Sequence, residues 1–173
     1  MAACCNPIRG RWGWRSMHVE SIDQPVQGIV VRRASREDID QVFEIELASF
    51  RIPYPRHLLR AYLEISGDYF LVATAAGKVV GYAIGVVEKG RLGHVISLAV
   101  RPEWRRRGIG RALLNRLIEL MADAGAEAIY LEVRKSNTAA IKLYKKLGFK
   151  EVCVVHRYYP DGEDAIVMVL RLA

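Results

Sequence analysis

The chain has 173 residues, 51% of them hydrophobic, which is enough for one sizeable core and favours a single domain over a disordered or fibrous chain. Lysine and arginine number 26 against 19 aspartate and glutamate, a net charge of +7 that suits a polyanionic ligand as well as nucleic acid or a membrane surface. Cys4, Cys5 and Cys153 give no disulfide framework and the four histidines no metal-ligand spacing, no apolar run reaches the roughly 18 residues of a membrane span, and no apolar signal core opens the chain, so a reducing cytoplasm is the simplest compartment.

Residues 1–27 mix Gly, Pro, Arg and Trp without a sustained period and read as a loosely ordered extension, with Trp12 and Trp14 unpacked and Met17 a second candidate start. One domain, 28–173, follows. A first strand is predicted at 28–33, and Ser35 then offers an N-cap with Asp38 three residues on. The helix after it places Ile39, Val42, Phe43, Leu47 and Phe50 on one face. Pro53 and Pro55 end that helix and leave the apolar loop 50–55 before a second amphipathic helix to about residue 66. The β-rich runs 68–75 and 78–88 flank Ala76-Gly77 as a hairpin, and 94–100 adds a strand, so the front half is antiparallel.

From Leu98 to Arg111 an apolar strand, a Pro-containing turn and a glycine-bearing helix start follow one another. Gly108 and Gly110 have no Cβ, so ligand oxygens can approach the main chain, and the free amides and dipole of a first helical turn favour an anion. Arg105, Arg106, Arg107 and Arg111 add positive charge there. This pattern reads as a phosphate cradle, with a solvated basic helix start as the plain alternative. There is no G-x-G-x-x-G and no Gly-Lys-Ser/Thr, so dinucleotide and P-loop readings fit worse. A helix over about 108–124 carries Leu113, Leu114, Leu117, Ile118 and Met121, with Gly125 suited to its C′ position. A strand at 127–133 then completes a β-α-β unit with a parallel pair. A loop at 134–137, a short helix at 138–147 and a final hairpin, 149–157 with 165–172, end the chain.

The spacing Arg-x-x-Gly-x-Gly after Val-x-Pro resembles the coenzyme A pyrophosphate loop of the GCN5-related N-acetyltransferases (GNAT). Tyr130-Leu131-Glu132-Val133-Arg134, Ser136-Asn137-x-x-Ala140, Leu143-Tyr144-x-x-Leu147-Gly148-Phe149 and the run from Tyr158 to Ala165 look like the same family, in the same order. Within it the likeness is to the bacterial ribosomal-protein alanine acetyltransferases and the archaeal protein N-terminal acetyltransferases. The resemblance implies an α/β (α+β) fold: a mixed, mostly antiparallel sheet, flanked by helices, whose fourth and fifth strands are parallel and splay apart. It implies acetyl-CoA as cofactor, held by the main chain of Leu98, Ala99 and Val100, by Arg105, Arg106, Arg107, Gly108, Ile109, Gly110 and Arg111 at the pyrophosphate, and by Asn137 and Tyr144 from the other side.

Direct acetyl transfer to an amine needs a neutral amine, a polarised thioester carbonyl and a proton for the leaving thiolate. The resemblance implies Glu132 as base, Tyr144 as acid and His94 as proton relay. It also implies that Phe50, Ile52, Tyr54, Tyr158 and Tyr159 contact a peptide substrate. Read from the residues alone, Glu132 is a mid-strand carboxylate that needs solvent or a polar cleft, Tyr144 an ordinary core tyrosine and His94 a structural strand residue. Ile52 stands near a position where relatives favouring small first residues carry Glu, which implies a Met-initiated or broader substrate range. The implied partners are protein N-termini, among them ribosomal proteins or nascent chains, with no membrane, no nucleic-acid requirement and a monomer or weak dimer. Two other readings stay open: acetylation of a small amine, and a non-catalytic basic module binding RNA or ribosomes.

Overall fold

A computed structural model describes residues 26–88 and 91–172; the expectations for Trp12, Trp14, Met17 and nearly all of the extension lie outside the described residues. In chain order the elements are β1 (Ile29–Arg33), α1 (Ile39–Ser49), α2 (Arg56–Ser66), β2 (Phe70–Ala75), β3 (Lys78–Glu88), β4 (Leu92–Val100), α3 (Ile109–Asp123), β5 (Ala128–Arg134), α4 (Thr138–Lys146), β6 (Lys150–Val155) and β7 (Ala165–Arg171). The strands form one sheet in the order β1-β2-β3-β4-β5-β7-β6, antiparallel throughout except for the parallel pair β4–β5. This is the mixed sheet that the sequence predicts. The last hairpin returns with β7 inside, next to β5, and leaves β6 at the edge.

Helices cover both faces. Leu113, Leu114, Leu117 and Met121 of α3 pack with Ile129, Leu131 and Val133 of β5 on one side, and Ile39, Val42, Ile45 of α1 and Leu59 of α2 pack with Phe70, Tyr82 and Ala99 on the other. A Cβ at Gly85 or Gly93 would run into Met121, so these glycines let α3 lie directly on β3 and β4. Val26 is partly buried against the α3-side core.

Entry of the chain into α1 runs through a 3-10 turn at Arg36–Asp38. There Asp38 accepts from the Ser35 amide at 2.8 Å and from Arg32 at 2.7 and 2.8 Å. Burial opposes the charge on Asp38, but the hydrogen bonds from Arg32 and Ser35 outweigh it and hold the carboxyl below its usual value. One expectation fails in α1. Leu47 is 57% exposed, and the buried stripe runs through Ile39, Val42, Ile45 and Glu46 instead. A further departure concerns the cysteines, since Cys153 on β6 is disulfide-bonded. No helix among the described residues is long and apolar enough to cross a membrane.

Candidate active site

β4 and β5 pair only from Leu92 with Ala128 to Val95 with Leu131. Beyond that point β4 runs on to Val100 and β5 to Arg134 without pairing with each other, so the two strands part; Leu98 and Val100 turn their main-chain groups to this open edge without a strand partner among the described residues, whereas Ala99 between them faces β3. A register shift against β3 leaves Ile96 as an extra residue, and Ile96 and Ser97 both serve the face covered by α1 and α2.

Where the strands part, His94 Nε2 and Glu132 Oε2 are 2.8 Å apart, with only 21% and 19% of the two side chains exposed. The expected base and relay are therefore one hydrogen-bonded pair in a half-buried cleft. The His94 ring stacks on Tyr130, centroids 4.2 Å apart and planes 8° from parallel, and the Tyr130 hydroxyl donates to Glu88 at 2.9 Å. Burial first, and then the Glu88 hydrogen bond, raise the Tyr130 phenol well above its ordinary value, so this support stays neutral.

The proposed phosphate cradle begins after a 3-10 turn at Pro102–Trp104. Arg106 (φ 64°) and Gly108 (φ 84°) take left-handed backbone, and such turns gather successive amides into a concavity suited to an anion. The amides of residues 106–111 have no backbone acceptor among the described residues, the first intrahelical bond being Ala112 N–H to Gly108 O at 3.0 Å. A Cβ at Gly110 would meet Leu143 and Val100 only at ordinary contact, 3.6 and 3.7 Å. Packing of the protein therefore does not require glycine there, whereas an approaching ligand would.

The arginines divide. Arg105 is spent on Val100 O (3.0 Å) and Ser49 Oγ (3.1 Å), and Arg107 on Glu103 O (3.2 Å) and the Trp104 ring. Arg106 and Arg111 are exposed and make no side-chain hydrogen bond or ion pair among the described residues. They are the free cations of the cradle. Asn137 caps α4, its Oδ1 accepting from Ala140 N–H at 3.1 Å, which leaves Nδ2 as a donor. The free amides, the unpaired arginines and the absence of a Cβ at Gly110, which packing alone would tolerate, fit a coenzyme A pyrophosphate.

Tyr144 on α4 is 7% exposed, and burial pushes its phenol up to about 12. It influences Tyr159 electrostatically, as does Glu132, and Glu132 also acts on Tyr158, so these residues share one neighbourhood. Tyr158 and Tyr159 meet edge to face with centroids 5.1 Å apart. Across from them, Phe50 and Tyr54 pack partly into the α1–α2 side core while Ile52 is 49% exposed at the rim. Arg51 Nη1 comes within 4.0 Å of Asp161 Oδ2, joining the two loops.

Several supporting residues escape sequence reasoning. Glu46, 1% exposed, accepts from the Tyr54 amide at 2.8 Å, from Ser97 Oγ at 3.3 Å and from the Tyr82 hydroxyl, and so anchors the 50–55 loop from beneath. Burial raises its carboxyl above the usual range, with the three hydrogen bonds offsetting part of that. Tyr62 of α2 lies 5.7 Å from Tyr54, ring to ring. The signal for Glu46 was present: it falls seven residues after Ile39, on the buried stripe.

The family model described as Acetyltransferase (GNAT) family matches residues 39–149. An N-alpha-acetyltransferase of Sulfurisphaera tokodaii is 42% identical over 154 residues, covering 82% of this chain and 92% of the relative. The [ribosomal protein bS18]-alanine N-acetyltransferase of Escherichia coli is 36% identical over 143 residues, covering 79% and 93%. Among solved structures, Ard1 from Thermoplasma volcanium superposes with a TM-score of 0.82 at 30% identity, covering 84% of this chain and 99% of that one.

Proposed function

The chain belongs to the acetyltransferase (GNAT) family, and from that premise we propose that it moves the acetyl group of acetyl-CoA directly to the α-amine at a protein's N-terminus. The observation that carries this reading is the His94–Glu132 pair, 2.8 Å apart where β4 and β5 separate, under the Tyr158-Tyr159 loop. The named activities of the S. tokodaii and E. coli relatives, both α-amine acetyltransferases, support it.

When bound, acetyl-CoA supplies the acetyl group as a thioester; the β4 edge at Leu98–Val100, the 106–111 amides with Arg106 and Arg111, and Asn137 would hold it. A free α-amine titrates at about 7.7–8.0, so about a tenth is neutral at pH 7 and the protein needs a proton acceptor rather than a nucleophile. Glu132 first strips the bound α-ammonium, passing that proton through His94 to solvent, and then takes the second proton that the nitrogen sheds as the N–C bond forms. His94 fixes that carboxylate through Nε2, and the Tyr130 stack fixes His94. Tyr144, protonated throughout the neutral range, gives a proton to the sulfur as the C–S bond breaks. Phe50, Ile52, Tyr54, Tyr158 and Tyr159 form the walls that receive a chain end and turn away an internal lysine. Protein N-termini in the cytoplasm, on ribosomal proteins or nascent chains, are the substrates.

The test is acetyl transfer to free peptides starting Met-Leu, Met-Glu, Ser and Ala, with N-blocked lysine peptides and small polyamines beside them. Transfer confined to α-amines supports the proposal, and preference for Met-Leu supports the part assigned to Ile52. Transfer to polyamines alone would replace it with a small-amine enzyme. Cofactor binding without transfer, together with steeply salt-dependent RNA binding, would replace it with a binding module.

A further inference from the structure

Tyr130, Glu132 and Arg134 alternate along β5 and share one of its faces. Tyr130 supports His94 and Glu132 takes the proton, which leaves Arg134 without a part in the reaction. We infer that Arg134 is a positioning residue whose guanidinium holds the 158–164 lid, and Tyr159 on it, against the cleft. For what the lid grips, this rests on the peptide reading above.

Arg134 Nη1 donates to Asp161 at 3.0 and 2.9 Å and to Glu163 Oε2 at 2.8 Å. Its guanidinium carbon lies 3.9 Å from the centroid of the Tyr159 ring, and only 18% of the side chain is exposed. One planar cation thus meets two carboxylates through Nη1 and lays its flat face on an aromatic ring, a stack that a compact ammonium does not reproduce. A lone surface ion pair contributes little, but here three restraints converge on one half-buried group.

Glu163 passes the restraint onward. Its Oε1 accepts from the Ser136 amide at 3.0 Å and from the Ser136 hydroxyl at 2.6 Å, so the lid is tied to the loop that carries Asn137. The Tyr159 amide donates to Glu163 O at 3.1 Å, and the Gly162 amide to Tyr159 O at 2.8 Å. Tyr159 is therefore fixed at its ring by Arg134 and at its backbone by the residue that Arg134 pairs with.

The lid reports on itself through Arg157, an exposed trypsin site directly before Tyr158; the Arg157 amide donates to Asp164 Oδ1 at 3.0 Å. In Arg134→Gln, tryptic cleavage after Arg157 should rise about tenfold, because cleavage follows the population of the open form. Peptide KM should rise about tenfold while kcat stays within about threefold, the pattern of lost uniform binding. Arg134→Lys, which keeps the charge but not the flat stack on Tyr159, should raise peptide KM as Arg134→Gln does. On a Tyr159→Leu background, Arg134→Gln should add less than about twofold to KM, since it acts through that ring.

Unchanged cleavage and unchanged KM in a folded Arg134→Gln protein would overturn the inference. So would full additivity with Tyr159→Leu. Should Arg134→Gln fail to fold, Glu163→Gln poses the same test at the other end of the restraint, with faster cleavage expected and unchanged cleavage contradicting it. A wild-type chain that acetylates no peptide, with Arg134→Gln still opening the lid to trypsin, would remove the acceptor assignment and leave the holding role of Arg134 supported.

Discussion

Glu132→Gln isolates proton transfer from geometry. The amide is nearly isosteric with the carboxylate, and its oxygen can still accept the His94 Nε2 hydrogen bond now made at 2.8 Å. What disappears is the proton acceptor, an effect worth about 10²–10⁴ in rate. Part of that depends on pH. Wild-type protein takes up the ammonium form and strips it, whereas the variant must wait for amine that is already neutral, about a tenth of the total at pH 7 and over about nine-tenths at pH 9. The deficit in kcat/KM should therefore be about 100-fold or more near neutrality and narrow by nearly tenfold by about pH 9. Initial rates with acetyl-CoA and a Met-Leu peptide from about pH 6.5 to 9 measure it, with calorimetry on coenzyme A to show cofactor affinity held within about twofold. A deficit that stays constant across pH would refute deprotonation by Glu132, and unchanged rates would remove it from the chemistry.

Gly110→Ala should leave thermal stability unchanged or slightly raised, since its Cβ meets only ordinary contacts and alanine favours a helix by up to about 1 kcal/mol, yet coenzyme A affinity by calorimetry should fall about tenfold or more. Tyr144→Phe removes a hydroxyl with no side-chain hydrogen bond among the described residues, so stability should move by less than about 1 kcal/mol while kcat falls about 10²-fold. With that phenol at about 12, no alkaline fall in wild-type rate below about pH 10 should be traceable to Tyr144, which comparison of the two pH profiles checks. In the lid, the Ser136 hydroxyl and amide, then Arg134, hold the Glu163 carboxyl down to about 2. A carboxylate depressed on folding stabilises above its unfolded value and loses that contribution as pH falls toward the folded one. The difference in unfolding midpoint between wild type and Glu163→Gln should thus be level from about pH 7 to 5 and shrink only below about pH 4.5.

Most of the framework was legible because alternation and punctuation agree. β3 spans Lys78–Glu88 as read, and the glycine at 125 and the prolines at 53 and 55 bound their helices where turn chemistry places them. The parting of β4 from β5 is not written in periodicity. It entered through the family resemblance, and the pairing that stops at Val95 and Leu131 bears it out. Leu47 lies off the core face because, at about 3.6 residues per turn, the stripe that starts at Ile39 and Val42 continues through Ile45 and position 46 and leaves Leu47 at its edge. Position 46 carries a carboxylate, which pattern reading sends to solvent; three converging donors, unforeseeable from sequence, are what make it tolerable inside. Tyr130 and Arg134 were visible within the strand motif, but their tasks depend on the His94 stack and on a lid more than twenty residues further along the chain.

The most direct measurement uses one peptide that offers both acceptors, a Met-Leu N-terminus and an internal lysine, incubated with the protein and acetyl-CoA and mapped by fragment mass. The proposed chemistry predicts a single acetyl on the α-nitrogen, at a rate that Glu132→Gln lowers most near neutral pH. Acetyl on the lysine side chain, or equal labelling of both nitrogens, would contradict it.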